Sequence, residues 1–214
     1  MFDRLLRPLQ VGDVDLPNRI VSTPHRTTLV DDGLPTADFV AYHEARAAGG
    51  VGLVILEAAP IDEREVSALT LDPCRAEIAA GYRRVADAVH AHGTKLFVQL
   101  FHGGREHIDA PPRDVAIAPS AIPSARFHVE PRALRGPEIE ALVERYAVAA
   151  ALAAEGGLDG VEITAAHGYL IAQFFVPGLN RRTDRWAEPS AFLVAVLDAV
   201  RAAAPGLAVG VRLT

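Results

Sequence analysis

Five short apolar runs, separated by stretches of helical length, constrain this chain more than any other feature. The runs are "RIVST" (19–23), "VGLVILEAA" (51–59), "TKLFVQLF" (94–101), "LDGVEIT" (158–164) and "LAVGVRLT" (207–214). Each is continuous rather than alternating, as strands buried on both faces read. Between them lie "TADFVAYHEARAAGG" (36–50), "RAEIAAGYRRVADAVHAHG" (75–93), "GPEIEALVERYAVAAALAAEGG" (136–157) and "EPSAFLVAVLDAVRAAAPG" (188–206). These carry ordinary start and stop signals: Thr36 as an N-cap, Pro137 and Pro189 near first turns, and Gly49-Gly50, Gly93, Gly156-Gly157 or Pro205-Gly206 at the ends. Strand–helix alternation of this kind predicts a parallel sheet covered by helices.

Two parallel architectures compete, an open doubly wound sheet and a (β/α)8 barrel. The segment after the first run, "STPHRTTLVDDG", is not G-x-G-x-x-G, which weakens a dinucleotide-binding sheet. Polar residues gather near the C-terminal ends of the runs: Glu57, Gln99, Glu162, Thr164 and Arg212. Barrel enzymes build their sites at that end. A barrel of this type takes about 250 residues, whereas this chain has 214 and stops in its fifth run. The expectation is an incomplete TIM-type barrel of about five strand units, one portion of a longer domain.

Composition narrows the function classes. Half the residues are apolar and 22% are charged, with a net charge of −6, so nothing favours nucleic acid or an anionic membrane as partner. Cys74 is the only cysteine, which leaves no internal disulfide and no cysteine cluster for a metal; none is expected. No apolar stretch reaches the length of a signal peptide core or a membrane span, so the expected location is the cytoplasm. A long Pro-rich connection, 102–134, follows the third run, and connections of that length are usually functional or disordered.

The chemistry concentrates in "AAHGYLIAQFFVPGLNRRTDRW" (165–186). His167 and Tyr169 stand two apart after the fourth run. Either alone reads most simply as a packed loop residue. As a pair, read as extended backbone, both point one way and reach one ligand. An imidazole can polarise a carbonyl oxygen, and a phenol is a weak acid able to protonate a developing carbanion. Gln99 reads either as an amide satisfied inside the barrel or as a bidentate partner for a ring amide. Arg212, a charge within a buried strand, reads as an ion pair with Glu162, as a fixed cation beside an anionic cofactor atom, or as both. A Schiff-base aldolase or lyase finds no support, since the only lysine, Lys95, begins its strand.

Four segments occur together in one order: "LLRPLQVGDVDLPNRIVSTPH", "KLFVQLFHGGR", "APSAI" and "GVEITAAHGYLIAQFFVPGLNRRTDRW". In these the chain resembles the Old Yellow Enzyme family of FMN-dependent ene-reductases, on the side of 2,4-dienoyl-CoA reductase and related NADH:flavin oxidoreductases. The resemblance runs from Phe2 to Thr214. It implies that 1–214 is the N-terminal portion of a single FMN-binding TIM-barrel domain. It further implies that Ser22, Thr23, Pro24 and His25 lie against the flavin ring, with Ala58 as the small residue beside it. Gln99 would read the pyrimidine edge, and Arg212 would stabilise negative charge on the reduced ring. Tyr169 matches the proton donor, and His167 one member of the pair holding the substrate's carbonyl oxygen. Thr164 stands where many members have the other, a His, and after "RTDRW" this chain lacks the usual Gly-Gly.

The implied reaction is reduction of an activated C=C bond, in an enone or dienoyl-CoA, with NAD(P)H as co-substrate. The flavin-phosphate site would lie in later strand units. The alternative is a catalytically inactive half-barrel, a fragment or subunit needing a partner chain to bind FMN. That partner would be another copy in a homo-oligomer or a complementing C-terminal half.

Overall fold

The computed structural model describes residues 2–107, 115–128 and 130–214. Part of the long connection, 108–114 and residue 129, lies outside the described residues. Two small hairpins flank the first barrel strand, β1 (Leu9–Val11) with β2 (Val14–Leu16), and β4 (Val30–Asp31) with β5 (Leu34–Pro35); the strand itself is β3 (Val21–Ser22). Then follow α1 (Ala37–Ala48), β6 (Leu53–Pro60), α2 (Ile78–His90), β7 (Lys95–Phe101), a short pair β8 (Ile117–Ala118) and β9 (Arg132–Ala133), α3 (Gly136–Glu155), β10 (Gly160–Ala165), α4 (Leu170–Phe175), α5 (Ala191–Ala203) and β11 (Ala208–Leu213).

The main sheet runs β3-β6-β7-β10-β11, every neighbour parallel and every neighbour next in the series. A doubly wound sheet reverses its order partway; this one does not. The helices follow the same progression, α1 on α2, α2 on α3 and α3 on α5. Strands that advance in one direction under one layer of helices form the wall of a barrel, and five strands form part of one.

The pleat sorts the runs onto two faces. Val54, Leu56, Leu96, Val98, Leu100, Val161 and Ile163 face outward into the main core with Phe39, Ile78, Tyr82, Ile139, Tyr146, Phe192 and Val196 from the helices. The inner face carries different side chains in layers. Ile55, Phe97, Gly160 and Ala208 share one level by strand register, closed from below by Val14 and Leu16 of the first hairpin. A Cβ at Gly160 would stand 2.5 Å from the Phe97 ring and 2.6 Å from the Ala208 carbonyl oxygen, so the bare backbone makes room for that ring. Asp159, just before β10, accepts from His90 Nε2 (2.7 Å), Lys95 Nζ (3.0 Å) and the Leu96 amide (2.9 Å). This ties the N-terminal ends of β7 and β10 together and gives Lys95 a structural role.

At the opposite end a charged knot sets the path out of β7. His102 is 2% exposed, with Nδ1 2.7 Å from Glu65 Oε1 and Nε2 3.3 Å from Asp62 Oδ2. Burial pulls its pKa down, but the Glu65 and Asp62 carboxylates more than reverse this and hold it up at about 9. Burial opposes ionisation of Asp62 too, yet His102 and Arg64 keep it well below the usual carboxylate range. Glu65 also accepts from the Gly103 amide (2.8 and 3.0 Å). The loop after β7 is therefore fixed by a buried ion triad.

Two consequences are measurable. Gly160→Ala forces backbone and ring apart and should cost about 1–3 kcal/mol in urea unfolding. His102→Asn leaves the buried Glu65 carboxylate without its nearest cation and Asp62 with Arg64 alone, and should cost about 3–5 kcal/mol. The sign with pH follows from a folded pKa near 9 against 6.5 unfolded. The imidazolium stabilises in full below 6.5, and its contribution is lost as pH rises through about 9. Tm should fall over that window in the native chain, and His102→Asn should flatten the fall.

Candidate active site

The C-terminal ends of β6, β7, β10 and β11 bring a second inner level together. By register Ala58 lies beside Gln99, Gln99 beside Glu162, and Glu162 beside Gly210; one step further on, Thr164 lies beside Arg212. Ala58 occupies this level because β6 is irregular between Leu56 and Ala58, where Glu57 is the extra residue. Glu57 accepts from the Thr27 amide (2.8 Å) and hydroxyl (2.7 Å). Its pKa is raised by burial, against those two hydrogen bonds. The bulge thus gives the charged side chain to the loop after β3 and the methyl group to the inner face.

Glu162 is the centre of the level. Gln99 Nε2 donates to its Oε1 at 2.6 Å, and Arg212 donates to the same carboxylate from Nε (2.9 Å) and Nη2 (3.2 Å). The ion pair and the interior amide foreseen for Arg212 and Gln99 are both present. Neither is used up: Gln99 keeps its carbonyl oxygen and a second N–H, and Arg212 keeps further N–H donors. Thr164 is buried, and its Oγ1 has no hydrogen-bond partner among the described residues. A buried hydroxyl left unpaired costs about 1–3 kcal/mol, so this inner-face group is suited to a partner from outside these residues.

Thr23, Pro24 and His25 follow β3 at the same end of the sheet. His25 is held by two contacts, Nδ1 3.1 Å from the Thr23 carbonyl and Nε2 against the Tyr42 hydroxyl of α1. Arg46 lies over the Tyr42 ring, 3.3 Å from its centroid.

His167 and Tyr169 do come together, with ring centroids 6.2 Å apart, but not by strand alternation. β10 ends at Ala165, and the Tyr169 amide bonds back to the Ala166 carbonyl at 3.1 Å. Both residues between have positive φ, 58° at His167 and 73° at Gly168. That is the signature of a type I′ turn, so the extended reading of this segment is corrected. The signal in the sequence was the His-Gly pair, since His tolerates the left-handed region better than most residues and Gly is free there. The Thr214 hydroxyl accepts from the His167 amide at 3.0 Å, and Phe101 packs edge-on to Tyr169 with centroids 5.0 Å apart.

A flat heteroaromatic ring with an imide edge needs an amide offering donor and acceptor, a cation beside its electron-rich side, and small residues beneath it. Gln99, Arg212, and the pair Ala58 and Gly210 supply these, so the residues present fit the ring of FMN. Among the described residues no group of three or more His, Cys, Asp or Glu is arranged to hold a metal ion, and no helix is long and apolar enough to cross a membrane.

Comparison with known proteins gives the family and the fold. The chain is 37% identical over 191 residues to an NADH oxidase of Thermoanaerobacter brockii, covering 86% of this chain and 29% of that protein. It is 39% identical over 192 residues to an NADPH dehydrogenase of Listeria monocytogenes serotype 4a, covering 88% and 56%. It thus spans about half or less of the length of these relatives. Morphinone reductase in complex with tetrahydroNAD superposes with a TM-score of 0.89 at 33% identity, over 98% of this chain and 63% of that one. A 2-naphthoyl-CoA reductase shares the fold, with a TM-score of 0.90 at 24% identity. The model of the NADH:flavin oxidoreductase / NADH oxidase family matches residues 4–214, and the chain belongs to that family.

Proposed function

We propose that residues 1–214 are the N-terminal portion of a single FMN-binding barrel domain whose activity is NAD(P)H-dependent reduction of an activated C=C bond. The observation that carries this reading is the line Gln99–Glu162–Arg212 across three strands, with the His167–Tyr169 turn at the end of the middle one. Bound flavin supplies the transfer of a hydride taken from NAD(P)H.

The chain's own residues do the rest. Gln99 holds the pyrimidine edge, and Arg212, oriented by Glu162, offers positive charge where the ring gains negative charge. Thr23, Pro24, His25 and Ala58 bound the ring. The Thr164 hydroxyl and the His167 imidazole hold and polarise the substrate's carbonyl oxygen. The Tyr169 hydroxyl gives a proton to the α-carbon. Substrates of this chemistry are enones and unsaturated CoA thioesters, and the protein acts in the cytoplasm.

A second reading is favoured by one observation. The sheet leaves two edges, and Val21 on one and Leu213 on the other are 39% and 65% exposed. Such edges invite pairing with another chain. The half-barrel would then bind FMN only with a complementing C-terminal half or as a homo-oligomer, and be inactive alone.

The visible spectrum of the chain after incubation with FMN and desalting separates the two. A retained flavin band overturns the second reading; a colourless protein means that the later strand units are needed, and return of the band on adding a separately made C-terminal half then supports the second. With flavin retained, Tyr169→Phe should leave reduction by NAD(P)H unchanged and slow C=C reduction by about 10²-fold or more in stopped flow. Equal slowing of both half-reactions would remove Tyr169 from the donor role.

A further inference from the structure

Gln173 has no part in the chemistry above, yet it is among the most buried polar residues of the chain, at 0% exposure on α4. Its amide is fully engaged. Nε2 donates to the Gly168 carbonyl (2.7 Å) and to the Gly103 carbonyl (3.3 Å), and Oε1 accepts from the Arg105 amide (3.3 Å). Gly168 is the residue between His167 and Tyr169. Gly103 and Arg105 belong to the loop after β7, the one the His102 knot secures. The same two segments meet again where the Leu170 amide donates to the His102 carbonyl (2.9 Å). Between them lies Gly104, with φ 62°, where a Cβ would stand 2.6 Å from Gln173 Oε1 and 2.7 Å from Nε2. The site therefore has a seat cut for this one amide. Two backbone carbonyls and one backbone N–H face it, and a primary amide is the neutral side chain that answers all three.

We propose that Gln173 is the positioning residue of the His167–Gly168–Tyr169 turn, clamping the Gly168 carbonyl to the loop after β7 and so setting where both side chains stand over the inner face. This rests on the reading of His167 and Tyr169 as substrate-facing. A misplacement of about 1 Å in such groups can cost on the order of 10²-fold in rate. Glutamate at 173 loses both donors and sets a carboxylate against two carbonyl oxygens. Once protonated it regains one donor and keeps its acceptor.

The test needs no flavin. The chain has four tyrosines, Tyr42, Tyr82, Tyr146 and Tyr169. In a sample with 13C-labelled tyrosine rings, the Tyr169 signal is identified by its loss in Tyr169→Phe and is displaced by the facing Phe101 ring. In Gln173→Glu at neutral pH that signal should move toward its unstructured position, while those of the wholly buried Tyr82 and Tyr146 stay. It should return as the pH falls and the carboxyl takes up a proton. Gly104→Ala, which displaces the amide without changing it, should move Tyr169 alike but without recovery in acid.

An unmoved Tyr169 in both variants overturns the proposal. So does collapse of the Tyr82 and Tyr146 signals in both, which makes Gln173 a residue of folding; if only one variant folds, that one decides. In flavin-loaded protein, Gln173→Glu should lower kcat for C=C reduction by about 10- to 100-fold, with reduction by NAD(P)H unchanged. A protein that stays colourless even with the later strand units supplied, and whose Tyr169 signal still responds, would sink the flavin reading and leave the clamp standing.

Discussion

The carboxylate of Glu162 is the group on which the arrangement of the site depends. It is only 13% exposed on the inner face of the sheet, where an uncompensated charge would be costly. Gln99 meets it from β7 and Arg212 from β11, so one anion fixes the side chains of both neighbouring strands. Remove it and Arg212 has no reason to lie across the strand ends and Gln99 no reason to face it. The two groups suited to a flavin ring are oriented by a third that the ring need never touch.

The sheet makes that arrangement possible. Parallel register puts Gln99, Glu162 and Gly210 on one level, and the irregularity at Glu57 brings Ala58 to the same level. Without it, Glu57 would fall opposite Gln99 and add a second carboxylate to the inner face. The bulge removes that conflict and uses the displaced carboxylate to hold Thr27. The two ends of the sheet are fixed separately: Asp159 and the first hairpin close the N-terminal end, while the His102 knot and Gln173 bond the loops at the C-terminal end.

Much of the fold was legible in the residues. Continuous apolar runs gave all five barrel strands within a few positions, because strands buried on both faces have no polar side to confuse. Thr36 caps α1 by accepting from the Phe39 amide, and the Gly pairs end helices where expected. Gln99 and Arg212 stood out because polar groups in apolar strands demand partners. What was not legible depends on contacts distant in sequence. The two N-terminal hairpins and α4 are too short to show a period. Nothing local marks His102, Asp62 and Glu65 as a group; the fold buries them together. Gln173 lies in "LIAQFF", where nothing but its intrusion into an apolar stretch marked it.

His167 shows how the backbone restricts chemistry. Its φ of 58° belongs to a region that β-branched and bulky residues enter only under strain, and that Asn, Asp, His and Gly enter readily. A residue at this position is most easily drawn from that short set, although Thr28 of this chain holds a φ of 59°. Three of the four carry a polar side chain close to the main chain, and one carries none. The turn therefore favours in advance certain functional groups there: an imidazole, an amide, a carboxylate or a hole. On the proposed reading, wider variety would come from neighbours with ordinary backbone, Thr164 among them.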